Sequence, residues 1–190
     1  MSINNFTYTD DGRLLVSESG GSLASMGTGF VAGATTTRPA NATPYAALDS
    51  ISNNATAGSV TATSTNALAF SANDLVSFST VLLVSTDTGP GTAGAIIRLH
   101  LFNSDPTAAS GVVGGDNAAW SNKQAGWLGS MSGIMRLFSD GSRGVLVPDE
   151  PLEGLAPATG AQNFWYQLQT MTAFTPSANS TTFIPNFRTK

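Results

Sequence analysis

No stretch of this 190-residue chain repeats with the 3.6-residue period of an amphipathic helix, whereas its strongest apolar segments alternate with a period of two. The clearest is LVSFSTVLLVS, from Leu75 to Ser85. Strict alternation puts Val76, Phe78, Thr80, Leu82 and Val84 on one face and Val81 and Leu83 on the other. The second half is therefore expected to be buried on both sides. In IIRLHLF, residues 96–102, the uniformly apolar set Ile97, Leu99 and Leu101 is assigned to the core. Ile96, Arg98, His100 and Phe102 then point the other way, toward solvent or a neighbouring subunit. NFWYQLQTMTAF sets Phe164, Tyr166 and Leu168 against Trp165, Gln167 and Gln169.

Further strands are expected in YAALDSIS, SVTATSTNALAF, WLGSMSGIMRLFS, RGVLVP and STTFIPNF, separated by turn sequences such as DTGPGTAG and DGS. Pro185 cannot donate to a ladder, which predicts an edge position or a bulge for the last strand. The total is about eight strands after residue 44, at a spacing of roughly 8–15 residues. Parallel pairing needs crossover helices, and no segment predicts one. Composition agrees. Charged residues are 11% of the chain, lysine occurs only at 123 and 190, and glutamate only at 18, 150 and 153, so long charged helix formers are scarce. The expected fold is all-β, an antiparallel jelly-roll-like β-sandwich with an extended N-terminal arm.

Two regions differ in texture. Residues 3–16 read as a small hairpin, with Phe6 and Tyr8 alternating with polar residues and DDG at the turn. Residues 17–44 are rich in Gly, Ser, Ala and Thr and read as an extended arm or linker, either an arm that orders on a neighbouring subunit or a disordered N-terminal tail. The division is thus 1–44 for the hairpin and arm and 45–190 for the sandwich.

Several functional classes are disfavoured. The net charge is -4, and eight scattered Lys and Arg residues make no basic footprint for nucleic acid. No apolar run is long enough to span a membrane, and MSINNFTYTDDG lacks the pattern of a secretory signal. There is no cysteine, so thiolate metal sites and disulfides are excluded, and one histidine cannot build the usual zinc site. No cofactor is expected.

His100 is the obvious candidate for chemistry. A catalytic histidine needs a nucleophile in reach and an acid to orient its ring, and no such serine or acid is marked in the sequence. Arg98 on the same face disfavours a protonated imidazole, so His100 is read as a strand or interface residue. GTGFVAG at 27–33 has the wrong spacing and context for a dinucleotide loop. GSMSG at 129–133 carries Met131 where a nucleophile elbow needs serine. Asp10–Asp11 and Asp149–Glu150 are acidic pairs in turn contexts and read as turn chemistry rather than glycosidase carboxylates. Trp127 and Trp165 sit in strand-like segments and are expected to pack. Trp120, in a loop, is the one tryptophan with an alternative as an exposed stacking platform, although packing is the favoured reading for it as well.

The stretches RLHLFNSDPTA, AGWLGSM and LQTMTAFTP together resemble motifs of a family of tailed-bacteriophage virion proteins. The resemblance covers roughly residues 45–187, leaving the N-terminal region outside it. It implies a β-sandwich head decoration (cement) or other minor capsid protein, located on the capsid exterior, made in the host bacterial cytoplasm, and without enzyme activity. The implied partners are the major capsid protein and further copies of the chain, as a homotrimer, with neither nucleic acid nor membrane. Partner contacts are then expected at Phe6, Tyr8, Arg13 and Leu14 of the hairpin and at Arg98 and His100 of the outward strand face. The alternatives are a tail- or fibre-associated virion protein and a carbohydrate-binding β-sandwich module.

Overall fold

The computed structural model describes residues 6–8, 14–16, 30–61, 63–64, 75–89, 91–107, 114–120, 126–156 and 163–189. The strands among them are β1 (Phe6–Tyr8), β2 (Leu14–Val16), β3 (Phe30–Ala32), β4 (Thr36–Thr37), β5 (Ser50–Ile51), β6 (Thr63–Ser64) and β7 (Phe78–Ser85). They continue with β8 (Ile96–Phe102), β9 (Trp127–Ile134), β10 (Arg136–Phe138), β11 (Gly141–Pro148), β12 (Trp165–Thr170) and β13 (Thr182–Thr189). The fold is all-β and every pairing is antiparallel.

One hydrogen-bonded path runs β3-β13-β7-β11-β9-β8-β12-β5. It curls so that its two halves face each other as in a sandwich. Tyr166 on β12 and Phe187 on β13 lie near opposite ends of the path, yet their rings meet 6.0 Å apart. β11 joins the halves: residues 142–146 pair with β7, while Val147 and Pro148 pair with β9. β9 and β10 share one register against β11, with Met131 opposite Pro148 and Arg136 opposite Arg143. They therefore form a single long hairpin closed by Ser139 and Asp140.

The core lies between the halves. Ile97, Leu99 and Leu101 are buried in it with Val81, Leu83, Met131, Leu146, Tyr166, Leu168 and Phe183, as period-two alternation requires. The alternation breaks in β7. Phe78 and Val81 are both buried, because a bulge opposite Arg188 and Thr189 shifts the phase between them. The expected shared face of Phe78 with Leu82 and Val84 is corrected accordingly.

The last strand is interior rather than an edge, with β7 on one side and β3 and β4 on the other. Pro185 fits because its carbonyl accepts from Gly33 at 2.7 Å. Its nitrogen faces the same side, where the partner changes from β4 to β3 and no ladder donor is required. A Cβ on Gly33 would come within 2.8 Å of the Pro185 ring, so this close approach needs glycine.

β1 and β2 pair as a two-stranded sheet, with Phe6 opposite Val16 and Tyr8 opposite Leu14. The body of the fold starts earlier than residue 44. β3 and β4 pair along β13, and Arg38 is fully buried. Small Thr and Ala residues gave this segment the texture of an arm, but its backbone completes the sheet.

Candidate binding face around His100

β8 lies between β9 and β12, so the outward face around it is set by register. His100 stands opposite Ser130 on one side and Gln167 on the other, and Arg98 stands opposite Ser132 and Gln169. Three strands with no shared motif are thereby gathered on one patch.

This patch is covered rather than open. His100 is 7% exposed, and its ring stacks on Trp120 at 4.2 Å and 17°. The expectation that His100 faces solvent or a neighbouring subunit is corrected: a loop of the same chain lies over it. Trp120 packs, as favoured over the exposed-platform alternative, and is half-buried as that cover, while Trp127, expected to pack, is 47% exposed.

Three hydrogen bonds run in sequence through the imidazole. The Trp127 indole N–H donates to His100 Nδ1 at 3.2 Å, and an indole can only donate. Nδ1 is thus the acceptor, and Nε2–H donates to Gln169 Oε1 at 3.0 Å. The amide of Gln169 donates onward to the Leu48 carbonyl at 3.1 Å. The same carbonyl accepts the Trp120 backbone N–H at 3.1 Å. Leu48 holds φ at 74°, a conformation rare for a leucine, in the turn that presents this carbonyl. Burial pushes the His100 pKa down from 6.5 to about 4, with Arg98 adding to the effect against the opposing pull of Gln169 and Asp149. The ring is neutral at physiological pH.

Beside it, Asp149 gathers Ser130 and Ser132, whose hydroxyls donate at 2.6 and 2.8 Å, and the Arg98 guanidinium at 3.1 Å. Arg98 Nε also donates to Ser132 Oγ at 3.1 Å. The nearest hydroxyl across the strand, that of Ser130, therefore serves Asp149 rather than His100. Both imidazole nitrogens are engaged, and no nucleophile–base–acid relay is formed among these groups. Gln167, 3% exposed, has an amide nitrogen with no hydrogen-bond partner among the described residues.

The Trp120 loop is anchored by a buried charged cluster. Asp116 Oδ1 accepts from the Tyr45 hydroxyl at 2.5 Å and from the Ser52 backbone at 3.1 Å. Arg38 donates to the Tyr45 hydroxyl at 2.8 Å and lies 3.6 Å from the second Asp116 oxygen. Burial pushes the Asp116 carboxyl up, and Tyr45, Ser52 and Arg38 pull it back. Burial and the Asp116 charge raise the Tyr45 phenol well above its ordinary value.

Of the residues expected to contact partners, Arg98 and His100 share this patch. Phe6 and Tyr8 lie on β1 and Leu14 on β2, and Arg13 falls outside the described residues. Sequence reasoning missed Ser130, Ser132, Gln169 and the role of Asp149, and only the register of β9 and β12 on β8 could have shown them. Among the described residues, no three His, Asp or Glu side chains gather as metal ligands, and no helix is long and apolar enough to cross a membrane. No family model, curated protein or solved structure matches the chain.

Proposed function

We propose that this protein is a structural component of a tailed-bacteriophage virion, a decoration (cement) protein that binds the major capsid shell and stabilises it by contact rather than by chemistry. One observation carries the binding role. The outward face of the β9/β10–β11 hairpin exposes Ile134, Phe138, Val145 and Val147, and Leu137 is exposed on the opposite face of the tip. A concentration of apolar surface of this kind is characteristic of protein contact sites. The internally saturated His100 network supports the same reading, because its groups are spent on holding a loop in place. The virion assignment itself rests on the resemblance of RLHLFNSDPTA, AGWLGSM and LQTMTAFTP to that family.

Quantitative mass spectrometry of purified particles tests it. A copy number close to that of the shell subunit is expected. A few copies per particle would instead indicate a tail- or fibre-associated protein, and absence from particles would end the virion reading. Glycan binding is the second reading, favoured by the half-exposed Trp127 indole beside the Trp120–His100 stack. A flat glycan array with the intact protein removes it.

A further inference from the structure

β10 is three residues long, and all three are exposed. Among the described residues it pairs with β11 alone, so its outer side is an open strand edge. The direction of its backbone groups is fixed from both ends. Phe138 and Gly141 flank the two-residue turn and form the last hydrogen-bonded pair of the hairpin, which turns the Phe138 groups toward β11. Met135 points the opposite way: its N–H donates to the Ala95 carbonyl at 2.9 Å, and its carbonyl accepts from Gly94 at 2.8 Å. Alternation then directs the N–H and C=O of Leu137 to the outer side, where neither has a partner among the described residues.

The side chains at this edge are only partly matched within one copy. Arg136 stands opposite Arg143, a like-charge pair that weakens the ladder. Asp140 answers Arg143 at 2.5 Å, while Arg136 has no ion pair among the described residues. The Arg143 guanidinium lies 5.0 Å over the Phe138 ring, and the ring stays 46% exposed. Arg136 and Phe138 share their face with Ile134 and Val145, and the four line one groove of about 410 Å³.

We infer that β10 of one copy pairs antiparallel with β10 of a second copy about a two-fold axis at Leu137, joining the β7–β11–β10 sheets of the two copies into one. The edge itself sets the register. The outward groups of Leu137 can meet only other outward groups. Of these, Met135 is bonded to the residues that lead into β8 and Ser139 lies in the turn, so Leu137 pairs with Leu137 of the second copy. Each donates to and accepts from the other. The same register sets Arg136 opposite the second copy's Phe138 as a non-hydrogen-bonded pair, the closer of the two kinds, within reach of a cation–π contact. Arg-Leu-Phe laid antiparallel on itself thus gives each guanidinium a ring, and this self-complementarity favours a second copy over an unrelated strand. Room for the second copy's Ser139 and Asp140 lies beside Gly94, where an added Cβ meets nothing within 4 Å. The contact is isologous and closes at two copies. It is independent of the virion assignment, which particle copy number tests, because it is measured on the purified chain.

The test is solution mass by sedimentation velocity and light scattering over a concentration series. The wild type is expected to approach twice the chain mass as concentration rises. Leu137→Pro deletes the outward donor and spares the ladder to β11, which does not use it. With its fold verified by circular dichroism, this variant is expected to stay at the mass of one chain. Phe138→Arg sets arginine opposite arginine and is expected to raise the dissociation constant about tenfold, two cation–π contacts being lost. Exchanging the two residues, Arg136→Phe with Phe138→Arg, recreates the complementary register and is expected to restore the dimer. The chain has no cysteine of its own, so Leu137→Cys gives a single reactive site. On the two-fold axis it is expected to cross-link to itself on oxidation much faster than Val147→Cys, a position 53% exposed away from the tip. A wild type that is monomeric throughout the series, or that forms trimers, overturns the inference. So does a dimer that persists in the folded Leu137→Pro variant, or Leu137→Cys cross-linking no faster than Val147→Cys.

Discussion

Trp127 donates its indole N–H to His100 Nδ1, and through that one bond it decides the tautomer of the only histidine in the chain. With Nδ1 occupied as an acceptor, protonating the ring means breaking that bond inside a covered site. The same two residues reverse their expected exposures: the histidine is buried and the tryptophan is half out.

The first prediction concerns pH. His100 has a folded pKa of about 4 against 6.5 when unfolded, so the unfolded chain binds the extra proton first. Its contribution is fully present above pH 6.5 and is lost as pH falls toward 4, by roughly 3 kcal/mol over the window. Urea denaturation at pH 7 and pH 5 is expected to show the loss, and His100→Gln to flatten that part of the profile. Equal slopes in the two proteins would show that His100 is not the group responsible.

Trp127→Phe keeps an aromatic ring and deletes the donor. The His100 Nδ1 lone pair is then free to take a proton, and its native pKa is expected to rise toward 6.5. Following the imidazole resonances by NMR titration reads this directly. An unmoved midpoint would assign the depression to burial and Arg98 without a part for the Trp127 bond.

Arg38→Met leaves the Asp116 carboxylate buried without its cation, and about 3–5 kcal/mol of stability is expected to be lost. Adding Asp116→Leu removes the orphaned charge and is expected to recover much of it. A double-mutant cycle in urea measures the coupling, which should exceed about 1 kcal/mol for groups in one network.

Gly91 sits against the backbone of the 174–176 segment, and a Cβ there would fall 1.5 Å from the Thr175 carbonyl oxygen. Gly91→Ala forces the two loops apart, and a cost of about 1–3 kcal/mol is expected, as for other overpacked sites. Gly58, with nothing within 4 Å of its Cβ position, is the control and should tolerate alanine. Thermal unfolding of the two variants compares them.

The two faces of the strands predict opposite tolerances. Leu99→Ala empties a fully buried site and is expected to cost about 2–5 kcal/mol. Val145→Ala, on the 59% exposed outward row, is expected to stay within about 0.5 kcal/mol in the unassembled chain. Chemical denaturation at low protein concentration separates them.

The period of two determined, from sequence alone, that the chain is β, that Ile97, Leu99 and Leu101 face the core, and that Tyr166 and Leu168 share a face apart from Gln167 and Gln169, because alternation on a pleated strand is a local property; the lack of any helical segment gave the antiparallel pairing. Where a local rule was interrupted, the reading slipped. The bulge in β7 shifted the phase between Phe78 and Val81. Pro185 turned out interior because its missing N–H faces the point where β4 gives way to β3. Arg38 looked like part of an arm because nothing within a few residues of it reveals Asp116. The surroundings of His100 were decided by tertiary structure alone. Its partners are residues 120, 127 and 169, with the Leu48 carbonyl holding Gln169 and Trp120, brought together by ladder register and loop closure, and no spacing along the chain encodes that meeting. Alternation showed correctly that His100 points away from the core. What lies over it depended on a loop that carries no period at all.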